Sequence, residues 1–108
     1  MDGVISGKIT IDQLQLLVTQ WADATFDERR EDAAWKKLFE ELGEVLRAPD
    51  DPEEWADVFI LLFDLSAMHG INIGRGIIDK LDKNRRRVWR KTGTGVYQHE
   101  ESQTKPKR

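Results

Sequence analysis

Two acidic doublets flank one break in the chain, and their types and spacing point to metal chemistry. Glu41 and Glu44 are three residues apart, as are Glu54 and Asp57. On a helix that spacing puts both side chains on one face, with Cβ atoms about 5–6 Å apart. Glu44 and Glu54 lie nearest the break, and Glu41 and Asp57 one helical turn further away. A short connection makes the two helices antiparallel neighbours, so the four carboxylates would face one another in two layers. Unpaired, such a cluster repels itself and raises its own pKa values. Hard divalent cations, Mg²⁺ or Mn²⁺, resolve that repulsion with oxygen ligands. The competing reading is a solvated face: Lys36, Lys37 and Arg47 are near enough to pair with some of these acids, and capping already explains Glu53 and Glu54. Each doublet alone favours the solvated face, and the mirrored placement shifts the balance towards a site. Asp64 interrupts the apolar run Val58–Leu65 two turns beyond Asp57. A carboxylate there needs a partner. A buried ion pair or interface hydrogen bond weighs at least as much as direct metal ligation.

A basic face follows. Lys80, Lys83, Asn84 and Arg87 recur at i, i+3, i+4 and i+7, with Arg85, Arg86 and Arg90 around them. Arg offers forked donors to phosphate oxygens, Lys a mobile charge, and Asn an amide for phosphate or sugar. The same residues would also suit a helix C-terminus or a stripe tracking a nucleic-acid backbone. Set beside four acids in so short a chain, they suggest a polyphosphate held by metals on one side and cations on the other.

The elements that must position these groups are helices. A first helix is expected from about Thr10 or Asp12 to Phe26, on the apolar period Ile11, Leu14, Leu17, Val18 and Trp21. Asp27 is a plausible cap for a second, with the stripe Ala34, Trp35, Leu38, Phe39, Leu42, Val45 and Leu46. Asp51-Pro52-Glu53-Glu54 is a strong restart signal for a third, which runs to a stop at Gly70. That helix is apolar nearly all round and must be covered on more than one side, which predicts an obligate homodimer centred on it. A fourth, capped by Asn72, would carry Ile73, Ile77, Ile78, Leu81, Val88 and Trp89. No run alternates long enough to predict a sheet. Residues 1–99 read as one domain and 100–108 as a disordered basic tail.

Composition narrows the chemistry. With 108 residues, 39% hydrophobic and 34% charged, the chain is expected to form one small domain. No cysteine is present, which excludes disulfides, thiolate-held metals and a thiol nucleophile. Two histidines, His69 and His99, are too few for a multi-histidine cage. No apolar run is long enough to span a membrane, and MDGVISGKIT lacks the features of a leader, so a cytoplasmic setting is expected, the host cytoplasm if the gene is phage-encoded.

The residues Glu40-Glu41-Leu-Gly-Glu44, Glu54-Trp-Ala-Asp57 and Lys80 with Asn84 and Arg87 resemble the EExxE, ExxD and KxxxNxxR series of the all-α, MazG-like nucleoside triphosphate pyrophosphohydrolases. The stretch 49–64, with His69-Gly70-Ile71 and Gly95-Val-Tyr-Gln-His99, is similar to the dATP/dGTP pyrophosphohydrolase branch, which includes phage enzymes. The resemblance implies an all-α, four-helix MazG-like bundle assembled as a homodimer or a dimer of dimers. It implies a purine (deoxy)nucleoside triphosphate as partner, cleaved to monophosphate and pyrophosphate by a metal-activated water, with two or three Mg²⁺ or Mn²⁺ ions per site. Glu41, Glu44, Glu54 and Asp57 would then be metal ligands, and Glu41 or Glu44 would orient or deprotonate the water, with Glu40 in reserve and Asp64 behind the ligands. Lys80, Lys83, Asn84 and Arg87 would hold phosphate or sugar. Trp21, Phe26 and Trp35 have the chemistry to stack on a base, but their helical spacing favours core. The rival is a non-catalytic helical dimer that binds nucleic acid or nucleotide through the fourth helix. With the resemblance in hand, nucleic acid and membrane are not expected partners.

Overall fold

The computed structural model describes residues 8–100. The chain divides into two compact units, Met1–Gly76 and Ile77–Arg108. The first contains α1 (Ile11–Thr25), α2 (Glu31–Arg47), α3 (Pro52–Met68) and the first turn of α4 (Ile73–Arg85). The second contains the rest of α4 and an antiparallel hairpin of β1 (Trp89–Lys91) and β2 (Tyr97–His99). No single helix among the described residues is long and apolar enough to cross a membrane.

Local chemistry starts three of the helices. Thr10 and Gln13 form a reciprocal capping box on α1, at 3.0 and 2.8 Å. Asp51 accepts from the Glu53 amide at 2.9 Å, and Pro52 opens α3 with the φ that a first helical turn needs. Asn72 Oδ1 accepts from the Arg75 amide at the start of α4. The second helix departs from expectation: it starts at Glu31 with Arg30, not Asp27, at its N-cap. Residues 27–30 instead form an irregular connection, from which Arg29 reaches a distant acid.

α1 and α2 each pack on α3. The core is small: Leu38 of α2 with Val58 and Leu65 of α3, flanked by Ala34, Val45, Leu61 and Met68. On the α1 side, Val18 and Ala22 are buried, and so is the polar Gln15. Gln15 Nε2 lies 2.9–3.1 Å from Ser66 Oγ and the carbonyls of Phe63 and Ile71, and its Oε1 accepts from the Ile73 amide at 3.2 Å. One amide thus ties α1 to the end of α3 and the start of α4. Two sides of α3 are covered, while Trp55, Phe59 and Leu62, at i, i+4 and i+7, remain exposed. Much of the α2 stripe is exposed as well: Trp35, Phe39, Leu42 and Leu46.

The second unit corrects two expectations. α4 ends at Arg85, so Arg87, Val88 and Trp89 lie beyond it, and Trp89 opens a strand. The strands pair Trp89 with His99, Arg90 with Gln98 and Lys91 with Tyr97. The turn is held by the Thr92 amide on the Val96 carbonyl at 2.9 Å, and Gly95 takes the positive φ it requires. Three-residue strands are too short to declare themselves by alternation. The expected tail lies outside the described residues, apart from Glu100.

Candidate active site

α2 and α3 are joined by the short connection Ala48–Asp51, and Trp55 pins it by donating Nε1–H to the Pro49 carbonyl at 2.8 Å. This brings three of the four predicted ligands together. One carboxylate oxygen each from Glu41, Glu54 and Asp57 lie within 4.8 Å of one another. Glu44 is not in that trio, and its carboxylate pairs with Arg47 at 2.7 Å. Glu40 is exposed and sits 3.7 Å from Lys37.

The cluster is electrostatically strained. The Glu54 carboxyl is pushed above its usual value, first by desolvation and then by the charges of Glu44, Asp51, Asp57 and Glu41. Lys37 relieves part of the repulsion at 3.2 Å from Glu41, and its own pKa is raised by that hydrogen bond. An all-carboxylate oxygen set is the donor chemistry that hard divalent ions accept, and a cation is what would bring Glu54 back to its ordinary range. The residues present therefore fit Mg²⁺ or Mn²⁺.

A cavity of about 230 Å³ opens beside the acids. Glu41, Asp57 and Lys37 are among its lining residues, and Val18, Trp21, Ala22, Phe26, Ile60 and Leu61 make it largely apolar. Trp21 and Phe26 meet edge to face, with ring centroids 5.4 Å apart, and both remain about half exposed. The expectation that they belong to the core is corrected: they are pocket wall. Trp35 is also exposed, with Nε1 donating to Glu31 Oε2 at 3.0 Å. Helical periodicity marks an apolar face, and a face turned to a cavity has the same period as one turned to a core.

Asp64 lines the same cavity and has the partner its position demanded. Arg29 Nη1 donates to both of its carboxylate oxygens, while Nη2 donates to Asp23 on α1. Sequence reasoning missed Arg29. The available signal was the unexplained acid in an apolar run, with Arg29 and Arg30 the cations in the connection between the first two helices.

The basic residues belong to the second unit. Lys80, Lys83 and Asn84 are on α4, while Arg87 lies two residues past its end. Asn84 nevertheless keeps Arg87 close, accepting from Arg87 Nη1 at 3.1 Å. The Asn84 carbonyl also takes the Arg87 amide at 3.2 Å and the Trp89 indole at 2.9 Å.

A dATP/dGTP diphosphohydrolase of Salmonella phage PMBT28 is 42% identical over 91 residues, covering 83% of this chain and 31% of that protein. The chain thus spans under a third of that relative's length. A dATP/dGTP diphosphohydrolase of Cyanophage S-2L is 35% identical, covering 83% of this chain and 88% of the relative. Among solved structures, a Cyanophage S-2L MazG-like pyrophosphohydrolase bound to dGDP and three catalytic Mn²⁺ ions per active site matches with a TM-score of 0.75. It is 34% identical and covers 87% of this chain and all of that one. The family model for dATP/dGTP pyrophosphohydrolases matches residues 15–105, and the chain belongs to that family.

Proposed function

We propose that this chain is a divalent-metal-dependent pyrophosphohydrolase acting on purine deoxynucleoside triphosphates and releasing monophosphate and pyrophosphate. The observation that carries the reading is the convergence of Glu41, Glu54 and Asp57 at the edge of an apolar, aromatic-walled cavity. Family membership and a structural neighbour bound to dGDP and three Mn²⁺ ions support it.

Glu41, Glu54 and Asp57 would hold the ions, with Glu44 joining them by leaving Arg47. When bound, the ions supply Lewis-acid neutralisation of the triphosphate and make water nucleophilic at neutral pH. Glu44, or Glu41, accepts the proton of the attacking water, with Glu40 the reserve base. Trp21 and Phe26 offer flat apolar surface to a base, and Lys37 a cation beside the acids. Lys80, Lys83, Asn84 and Arg87 are assigned to phosphate or sugar on their donor chemistry. Asp64 acts behind the ligands through its pair with Arg29.

We also infer a homo-oligomer, a dimer or dimer of dimers, in which a second copy covers the exposed stripes Trp55–Phe59–Leu62 and Phe39–Leu42–Leu46. The test of function is a panel of deoxynucleoside and ribonucleoside triphosphates with Mg²⁺ or Mn²⁺, with products identified by chromatography. Pyrophosphate release from dGTP and dATP that chelation abolishes is expected. Turnover that survives chelation, or in Glu41→Gln or Asp57→Asn, overturns the assignment.

A further inference from the structure

The cavity wall combines two chemistries. Glu41, Asp57 and Lys37 line it together with the apolar Ile60 and Leu61 and the aromatic Trp21 and Phe26. Phe26 is the residue at which α1 stops, its amide returning to the Ala22 carbonyl at 3.0 Å. From there to Arg30 the chain is neither helix nor strand, so its own backbone pattern does not hold the Phe26 ring in place. Arg29 supplies the missing restraint. One nitrogen of its guanidinium serves both oxygens of Asp64 on α3, and the other serves Asp23 on α1. The Arg29 and Asp64 side chains are only 20% and 10% exposed, so solvent and salt screen the pair weakly. A planar fork can serve two carboxylates at once with fixed geometry, which a lysine ammonium cannot reproduce. Asp64 is itself cavity wall, so the same pair cancels a carboxylate charge that would otherwise face the ligand.

We propose that Arg29 is a positioning residue for the base end of the site. By tying the α1–α2 connection to Asp64 and Asp23, it sets the Trp21–Phe26 corner against which the nucleobase rests, and so governs nucleotide affinity and not the hydrolytic step. The inference rests on the function proposed above and names the residue that shapes one end of its site.

The test compares dGTP with 2-deoxyribose 5-triphosphate, which carries the same phosphates and no base, in wild type, Arg29→Ala and Arg29→Lys. Arg29→Ala is expected to raise KM for dGTP about tenfold with kcat within about threefold, and to leave kcat/KM for the base-free triphosphate within about twofold. Arg29→Lys keeps the charge but loses the fork, and its KM should fall between wild type and Arg29→Ala. Equal loss on both substrates, or a fall in kcat at unchanged KM, overturns the proposal. If Arg29→Ala does not fold, Arg29→Lys decides alone by the same split, with about a threefold rise in KM for dGTP only. Wild type that hydrolyses dGTP while the variants leave its KM unmoved sinks this inference and spares the function. Wild type inactive on both substrates sinks the function, and the inference with it.

Discussion

Lys37 Nζ lies 3.2 Å from Glu41 Oε2, so the carboxylate cluster carries a counterion of its own from one turn earlier on α2. The pair is unequal: the lysine side chain is 58% exposed and the glutamate 13%. An exposed lysine is screened by solvent and salt and contributes little to stability. Its larger effect is on whatever cation competes for Glu41. Lys37→Met should therefore tighten Mn²⁺ binding about three- to tenfold, while lowering the melting temperature of metal-free protein slightly. Calorimetric titration with Mn²⁺ checks it, and unchanged or weaker affinity would show that Lys37 does not compete with the metal.

Glu54 makes the trade between stability and function visible. Its folded-state pKa is raised, so the folded chain holds that proton more tightly than the unfolded chain does. Above both values the ionised carboxylate opposes folding, and the penalty is relieved as pH falls through the folded pKa. Glu54→Gln should then raise the melting temperature of metal-free protein at pH 7. The same variant should lose most of the stabilisation that saturating Mn²⁺ gives wild type, about 2.7 kcal/mol at a hundredfold excess over Kd. Thermal melts with and without metal measure both, and a destabilised apo variant would refute the electrostatic account.

What was legible in the sequence was what local chemistry decides. The Asp51-Pro52 restart stands where read, and α1 begins inside the expected Thr10–Asp12 window, because capping needs residues only three apart. Three of the four acids converge because helical spacing and a short connection leave them nowhere else to go. Glu44 shares their spacing yet turns to Arg47, a choice that metal-free spacing rules do not make. Arg29 was invisible because its partner Asp64 is 35 residues away and no period links them. The same long-range pair belongs to a connection that runs to Arg30, past the expected cap at Asp27. Trp21 and Phe26 line a cavity and not the expected core, because apolar periodicity looks the same whether a face meets a core or a cavity.

Gln15 is the polar residue on which the α1–α3 packing turns. Its amide engages Phe63, Ser66, Ile71 and Ile73, which span the end of α3 and the start of α4. Replacing it with Leu preserves approximate volume and removes the Gln15 hydrogen bonds to the Phe63 and Ile71 carbonyls, the Ser66 hydroxyl and the Ile73 amide. Gln15→Leu should cost about 2–3 kcal/mol in urea denaturation. A neutral result would mean that water satisfies the same groups.

Glu31 provides an acid-side signature. Its Oε2 accepts from the Trp35 indole at 3.0 Å and lies 2.7 Å from His69 Nε2, which lowers its pKa, the indole contributing most. A carboxylate with a depressed folded pKa stabilises the fold above the usual glutamate value of 4.5, and that contribution is lost as pH falls through the folded value. Wild type should therefore be more stable than Glu31→Gln at pH 7, and the two should converge as pH drops below the carboxylate range. Melting temperatures across pH 2–8 check the sign. A gap that widens on acidification contradicts it.

Two glycines in the first turn of α4 separate crowding from propensity. A Cβ built on the buried Gly74 would sit 2.8 Å from Ile11 Cγ2 and 3.0 Å from Ile11 Cβ, so α1 approaches α4 where only a hydrogen fits. Ile11 is at the first residue of α1, and its branched Cβ cannot swing aside without disturbing the Thr10 cap. Alanine there gains helix propensity of up to about 1 kcal/mol and incurs overpacking of about 1–3 kcal/mol. Gly74→Ala should thus be net destabilising, by about 1 kcal/mol. Among the described residues nothing lies within 4 Å of a Cβ added to Gly76, so Gly76→Ala should stabilise by about 0.4–1 kcal/mol. Opposite signs from the same substitution two residues apart are the expected result in a denaturant titration. Stabilisation by both would place Ile11 farther from α4 than this packing requires.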